Sequence, residues 1–253
     1  MANRMAKRAK IFVLSGLGLF LWACTTTTVQ EIATDKTGYL TTDFTPQVLS
    51  PDILKKLPIE MEGVGFERLK ITYEVSSEQT DGKKESWKSV ATLTDKGNGL
   101  VQEISELTSN DIPYRLYYGL SYRGMVDLKW QWVPLRGHIP GQIHEVKDIG
   151  RFDVIPSAMD QGFVFDVTMG TVSKIAGTAS YQKQCRTLHT LPAGDLHPGL
   201  PGQAMEIECK VLINNNVQTI TRFMLLLEYG FAIPVEHKTS LKITTFRVID
   251  VEG

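Results

Sequence analysis

The chain is expected to be all-β: roughly ten antiparallel strands in a sandwich, a curved open sheet or a barrel, after a signal peptide and a short tether. Three observations lead to that class. Apolar and polar residues alternate with a period of two in segment after segment, as in Leu69, Ile71, Tyr73 and Val75 against Lys70, Thr72 and Glu74, the pattern of half-buried strands. Turn-forming residues such as Asp81-Gly82 and Asn214-Asn215-Asn216 separate those segments. No apolar stripe of helical period and useful length occurs after about residue 60. With 42% hydrophobic and 22% charged residues among 253, the composition is that of a folded globular chain.

The N-terminal element comes first. Arg4, Lys7, Arg8 and Lys10 precede an apolar run over 11–23. As a helix that run spans about 20 Å, short of the ~30 Å hydrocarbon core of a bilayer, so it reads as the core of a signal peptide. The segment ends in Leu21-Trp22-Ala23-Cys24, which resembles the lipobox of bacterial lipoprotein precursors. In that family the peptide is cleaved before the cysteine, which is then acylated. The resemblance implies a signal peptide over 1–23, lipidation of Cys24 and a membrane held through that lipid. Several acyl chains make such an anchor durable where one is marginal. Thr25, in place of the aspartate that retains lipoproteins of this kind in the inner membrane, implies the outer membrane, with the chain on its periplasmic face. Without residues 1–23 the chain carries 23 basic and 28 acidic groups. That mildly acidic body speaks against nucleic acid, whose binding rests on neutralised phosphates.

Residues 24–61 read as the acylated cysteine and a polar tether broken by Pro46, Pro51 and Pro58, with one short helix capped by Ser50 and carrying Pro51 at its first position. Residues 62–253 are the β-rich region, with strands expected near 69–75, 87–93, 100–107, 126–132, 163–167, 177–182, 205–213, 217–227 and 241–251. A possible seam lies at 134–141, where Pro134, Pro140 and Gly141 interrupt the pattern. In the 126–132 segment, Val126, Leu128, Trp130 and Trp132 share one face and Asp127, Lys129 and Gln131 the other. Residues 223–235 are apolar on both alternating faces, as in a central strand covered on both sides or an exposed partner patch. A membrane-spanning barrel is not expected, since it requires repeated alternating segments with aromatic girdles. From Tyr181 onward the order is strand, Pro192-Ala193-Gly194 loop, strand with Cys209, hairpin, Glu228-Tyr229-Gly230 and final strand. That order is similar to uncharacterised periplasmic proteins sharing a curved antiparallel sheet with lipoprotein carriers. The similarity implies an apolar concave sheet and a lipophilic ligand.

Assigning Cys24 to the lipid leaves Cys185 and Cys209, a pair suited to a disulfide in an oxidising compartment; two separate buried thiols are the alternative. Cys209 falls on the inward face of its strand with Met205, Ile207, Val211 and Ile213. Neither cysteine sits in a Cys-x-x-Cys pair or at a usual histidine spacing, so no metal is expected. Gly119-Leu120-Ser121-Tyr122-Arg123-Gly124 approaches a nucleophile elbow, but its second glycine is one residue late and a strand follows where a helix is required. It reads as a turn. His189, Asp195 and His197 group ligand-type residues in one loop and read as surface residues. No catalytic residue and no cofactor is expected. Tyr114, Tyr117, Tyr118, Tyr122, Trp130 and Trp132 crowd six aromatics into 19 residues, with Arg115 and Arg123 among them. Aromatic faces beside guanidinium groups stack on a glycan or grip an extended peptide; the same residues also suit a sheet core. Tyr114, Tyr117, Tyr118, Tyr122, Arg123, Trp130 and Trp132 are therefore the candidate binding residues. The leading expectation is a non-enzymatic, lipid-anchored protein that binds an envelope protein partner. A carrier with an apolar cavity and a cell-wall or glycan hydrolase are the alternatives.

Overall fold

The computed structural model describes residues 27–58, 64–173 and 177–253. The expected signal peptide and Cys24 lie outside the described residues. Twelve strands follow one another: β1 Arg68–Gln79, β2 Lys84–Asp95, β3 Leu100–Ser109, β4 Ile112–Tyr122, β5 Val126–Pro134, β6 His144–Phe152, β7 Gly162–Thr171, β8 Ala179–Pro192, β9 Gln203–Ile213, β10 Asn216–Leu226, β11 Phe231–Thr239 and β12 Lys242–Glu252. Each pairs antiparallel with the next, and β12 returns to β1 to close a barrel. The all-β reading holds, and of the three architectures expected the barrel is the one formed. Its strands outnumber the expected ten partly because 223–235 is a hairpin rather than one central strand. Leu226 pairs with Phe231, and Gly230 turns the chain at φ 57°. Both legs are buried on both faces near that turn, which hid the break from a reading of hydrophobicity. Elsewhere the turn chemistry works as written: Asn214 and Asn215 adopt φ 50° and 61°, the left-handed pair that a two-residue hairpin requires.

The register fixes which side chains face inward. Leu69 pairs with Leu93, Tyr73 with Val248, Glu103 with Gly119, Phe165 with Lys183 and Cys185 with Cys209. Near the end where β1 begins, Leu69, Ile71, Phe165, Val167, Met205 and Ile207 are fully buried and fill the interior. The opposite faces carry charge outward. Glu74 pairs with Arg247, Lys70 lies 2.7 Å from Glu252, and Arg222 sits 3.7–3.9 Å from Glu206, Glu208 and Glu236. That wall is the reverse of the apolar band a lipid-facing barrel needs.

The barrel has two seams. β5 meets β6 through Lys129–Glu145 and Trp130–His144, and β11 meets β12 over Glu236–Thr245 to Lys238–Ile243. Below those pairs the strands splay. The first gap is filled by the N-terminal segment, which forms helices α1 Val29–Thr34, α2 Lys36–Asp43 and α3 Pro51–Lys56 around a tight turn at Pro46–Val48. Most of the expected tether is therefore a packed strap. Its helices of six to eight residues are too short to show a periodic stripe. Caps define them instead: Thr28 and Glu31 form a reciprocal capping box, and the Ser50 hydroxyl accepts from Ile53 N at 3.3 Å with Pro51 at the first position, as expected. Phe44 stacks on Tyr118 at 5.6 Å. Gln102 Nε2 donates to Leu40 O and Phe44 O at 2.9 and 3.0 Å, adding a second bond to the Leu40 carbonyl that already accepts Phe44 N and engaging the Phe44 carbonyl just past the end of α2. Val64, Ala193, Leu200 and Phe66 close the second gap. Residues 134–141 comprise the last residue of β5 and most of its connection to β6.

Candidate functional site: the mouth of the barrel

One end of the barrel is shut. The β4–β5 turn crosses to the β10–β11 hairpin, where Arg123 O accepts from Ala232 N at 2.9 Å and Arg123 Nη1 donates to Gly230 O at 2.6 Å. Gly124 stands at φ 71°, and a Cβ there would lie 2.3 Å from Ala232 O, so only glycine permits this crossing. The other end stays open, and its inner wall holds the candidate site.

The site depends on a bulge. Leu120 pairs with Lys129 but Ser121 pairs with Asp127, so Leu128 is an extra residue in β5. The face shared by Val126, Leu128, Trp130 and Trp132 in the sequence reading is thereby corrected. Asp127 joins Trp130 and Trp132 on the inward face, while Val126, Lys129, Gln131 and Val133 face the strap. Period two cannot register an inserted residue, and bulges commonly re-aim a side chain in this way. Asp127 Oδ1 accepts the Tyr117 hydroxyl at 2.9 Å. Tyr117 lies flat along its strand because residue 119 is glycine: a Cβ there would come within 2.7 Å of the ring. From the facing wall, Lys183 of β8 donates to Met125 O across the lumen and rests 4.7 Å above the Phe223 ring. Glu103 of β3 accepts from the Ser105 hydroxyl.

These groups are ringed by protein and yet touch water. Asp127 is exposed, and Tyr117, Glu103, Tyr181 and Lys183 are partly so, which describes a wet lumen. Their protonation follows. Burial pushes the Glu103 carboxyl up to about 7, Ser105 opposing and Asp127 adding. Burial pulls the Lys183 ammonium down to about 8, against the pull of Asp127. Asp127 is raised by burial, with Lys183 and Tyr117 working the other way. Burial drives the Tyr117 hydroxyl well up, so it stays a donor.

Strand alternation divides the candidate aromatics. Tyr117, Trp130 and Trp132 face the lumen. Tyr117 and Trp132 rings lie 4.9 Å apart at 56°, and Trp130 stacks on His144 at 4.2 Å. Arg115 covers the Trp132 and Tyr114 rings at 5.6 and 5.8 Å, placing Tyr114 at the rim. Tyr118 lies beneath the strap, Tyr122 packs on Phe152 at 5.1 Å, and Arg123 belongs to the closed end; these three are structural. Ser121, expected in a turn, is a buried strand residue whose hydroxyl lacks a hydrogen-bond partner among the described residues. Asp127, Lys183 and Glu103 are not among the candidate residues of the sequence, and Gly119 enters there only as part of the near-elbow over 119–124. A lone glycine two residues after a tyrosine within a strand pattern was the available signal.

Cys185 and Cys209 are joined by a disulfide between paired positions of β8 and β9, their Cα atoms 4.0 Å apart. His189 Nδ1 lies 3.3 Å from Glu206, and His197 Nδ1 accepts from Gly199 N at 3.1 Å. Asp195 is exposed. Among the described residues no three His, Cys, Asp or Glu side chains group as a metal site, and no helix is long and apolar enough to cross a membrane.

No protein-family model matches the chain, nor does any curated protein. Among solved structures it is similar to the β-barrel-like protein of domain of unknown function DUF1849 from Brucella abortus. The TM-score is 0.44 at 7% identity, over 75% of this chain and 98% of that one.

Proposed function

We propose that the chain is a lipid-anchored binding protein of the bacterial envelope without enzymatic activity. Cys24 holds it in the outer membrane, the barrel faces the periplasm, and the open mouth receives the partner. One observation carries the binding role: Asp127, Tyr117 and Lys183 converge at the floor of an aromatic-walled lumen that water reaches. Binding sites pair such walls with a few placed polar groups. The anchor rests on Leu21-Trp22-Ala23-Cys24. An acyl-chain carrier is less well supported. Its cavity would have to run apolar throughout, whereas the lower interior is filled by residues such as Phe165, Met205 and Ile207 and the upper part carries charge. A hydrolase built on His189, Asp195 and His197 has no support from their separate contacts.

Two measurements test this. A photocrosslinking residue at position 132, in cells, is expected to capture a partner that the same residue at position 74 on the outer wall does not; equal capture, or none, removes a macromolecular partner from the mouth. Cys24→Ala is expected to abolish fatty-acid labelling and release the chain from membranes. Undiminished labelling removes the anchor.

A further inference from the structure

We propose that the mouth of the barrel is a saccharide site, taking a neutral oligosaccharide whose ring stacks on Trp132 and Tyr117 and whose hydroxyls bond to Asp127 and Lys183. The proposal rests on the binding reading above and names the ligand class.

A sugar ring presents an apolar C–H face and a rim of hydroxyls. It therefore needs a flat aromatic surface beside donors and acceptors set close together. Trp132 is 37% exposed, an unusual state for so large an apolar side chain on an inner wall. Tyr117 lies beside it, and Arg115 over the indole holds that ring in place. At the end of this shelf Asp127 engages Tyr117 through Oδ1, and Lys183, with three N–H groups, directs one to Met125 O. Ser121, the cross-strand neighbour of Asp127, adds a buried hydroxyl without a partner among the described residues.

Other ligand classes fit less well. An acyl chain would strip water from Asp127 and Lys183 and return no hydrogen bonds, a costly exchange. A polyanion meets Asp127 and Glu103, and a cation meets Lys183; a neutral, hydroxyl-rich molecule satisfies both signs. An extended peptide is commonly gripped by adding a strand to an open sheet edge. Toward the mouth the seams are bridged by Trp130–His144, by Gly141 N donating to Trp132 O just above it, and by His237–Thr244, which leaves little open edge there for an added strand.

The test uses the full chain purified in detergent and isothermal titration with three probes: chitotetraose, maltotetraose and tetraalanine. One of the two saccharides is expected to bind with Kd of about 0.1–1 mM. Trp132→Ala is expected to weaken that binding about tenfold or more, and Asp127→Asn about tenfold. Trp132→Phe, which keeps an aromatic face, should stay within about threefold, and Arg247→Ala on the outer wall should change nothing. Circular dichroism checks each variant's fold, and Asp127→Asn, nearly isosteric, keeps the test decisive if Trp132→Ala does not fold. The proposal falls if neither saccharide binds at about 10 mM, if tetraalanine binds in their place, or if Trp132→Ala or Asp127→Asn binds as tightly as the native chain. Saccharide failure together with capture at position 132 in cells sinks only the ligand class. Failure of both sinks the binding reading itself.

Discussion

Leu128 gives β5 one residue more than β4 can match, and that insertion turns Asp127 from the strap side into the lumen beside Tyr117. Gly119 then lets the Tyr117 ring lie flat enough to reach it. Gly119→Ala puts a methyl 2.7 Å from that ring, so a loss of about 1–3 kcal/mol in urea denaturation is expected, with Tyr117 displaced from Asp127. Glu103 makes a prediction of different kind. Its carboxyl sits at about 7 in the fold against 4.5 ordinarily, so between those values the folded chain keeps a proton that the unfolded chain has released. Stability is therefore highest below pH 4.5 as far as this group is concerned and is lost as pH rises through 7. Glu103→Gln should flatten that fall, reducing the difference in unfolding free energy between about pH 5 and about pH 7.5 by roughly 1–3 kcal/mol. Lys183, pulled down to about 8, begins to lose its proton near the upper pH in both chains, so comparing the native chain with Glu103→Gln subtracts its contribution.

At the scale of elements, the strap closes what the strands leave open. β5 and β6 pair only at Lys129–Glu145 and Trp130–His144 and part below them, and the strap from the end of α2 through α3 brings Phe44, Leu49, Ile53 and Leu57, all buried, into the gap. Lys56 ties α3 to the far side through Asp148 at 2.6 Å and Ile149 O at 2.8 Å. Phe44 is wholly buried, so Phe44→Ala is expected to cost about 3–5 kcal/mol. Hydrogen exchange should localise the damage, with amides of the splayed parts of β5 and β6 exchanging faster than those of β1 and β2.

For the whole molecule, stability comes from a cycle in which every strand edge is paired, though unequally at the two seams. The Cys185–Cys209 disulfide, 24 residues apart in sequence, links two strands well away from either seam. Its main effect is on the unfolded chain, and replacing both cysteines by serine is expected to lower stability by about 2–4 kcal/mol. Dithiothreitol should produce the same loss in the native chain and none in the double variant. Outward charges such as Lys70 and Arg247 leave the interior as the place where aromatic and polar groups meet within reach of water.

Much of this was legible in order along the chain. Alternation, turn residues and the Ser50-Pro51 start report interactions within a few residues, and these local preferences set the strands, the hairpin at Asn214-Asn215 and the cap of α3. The inward placement of Cys209 came from the same alternation. Density along the chain puts Tyr114 to Trp132 into one candidate group, because no strand is expected over 112–122 from which neighbours could be assigned to opposite faces. Separating Tyr117, Trp130 and Trp132 from Tyr118 and Tyr122 needed only the strands. Bringing Asp127 to them needed the bulge, whose presence is set by how β4 and β5 register against each other. Lys183 and Glu103 reach the same space from β8 and β3, far along the chain, and their altered protonation exists only because closure surrounds them with protein. Hydrophobic periodicity determined the kind of wall this protein builds; the circular pairing of twelve strands, a long-range outcome that no local pattern encodes, decided what stands inside it.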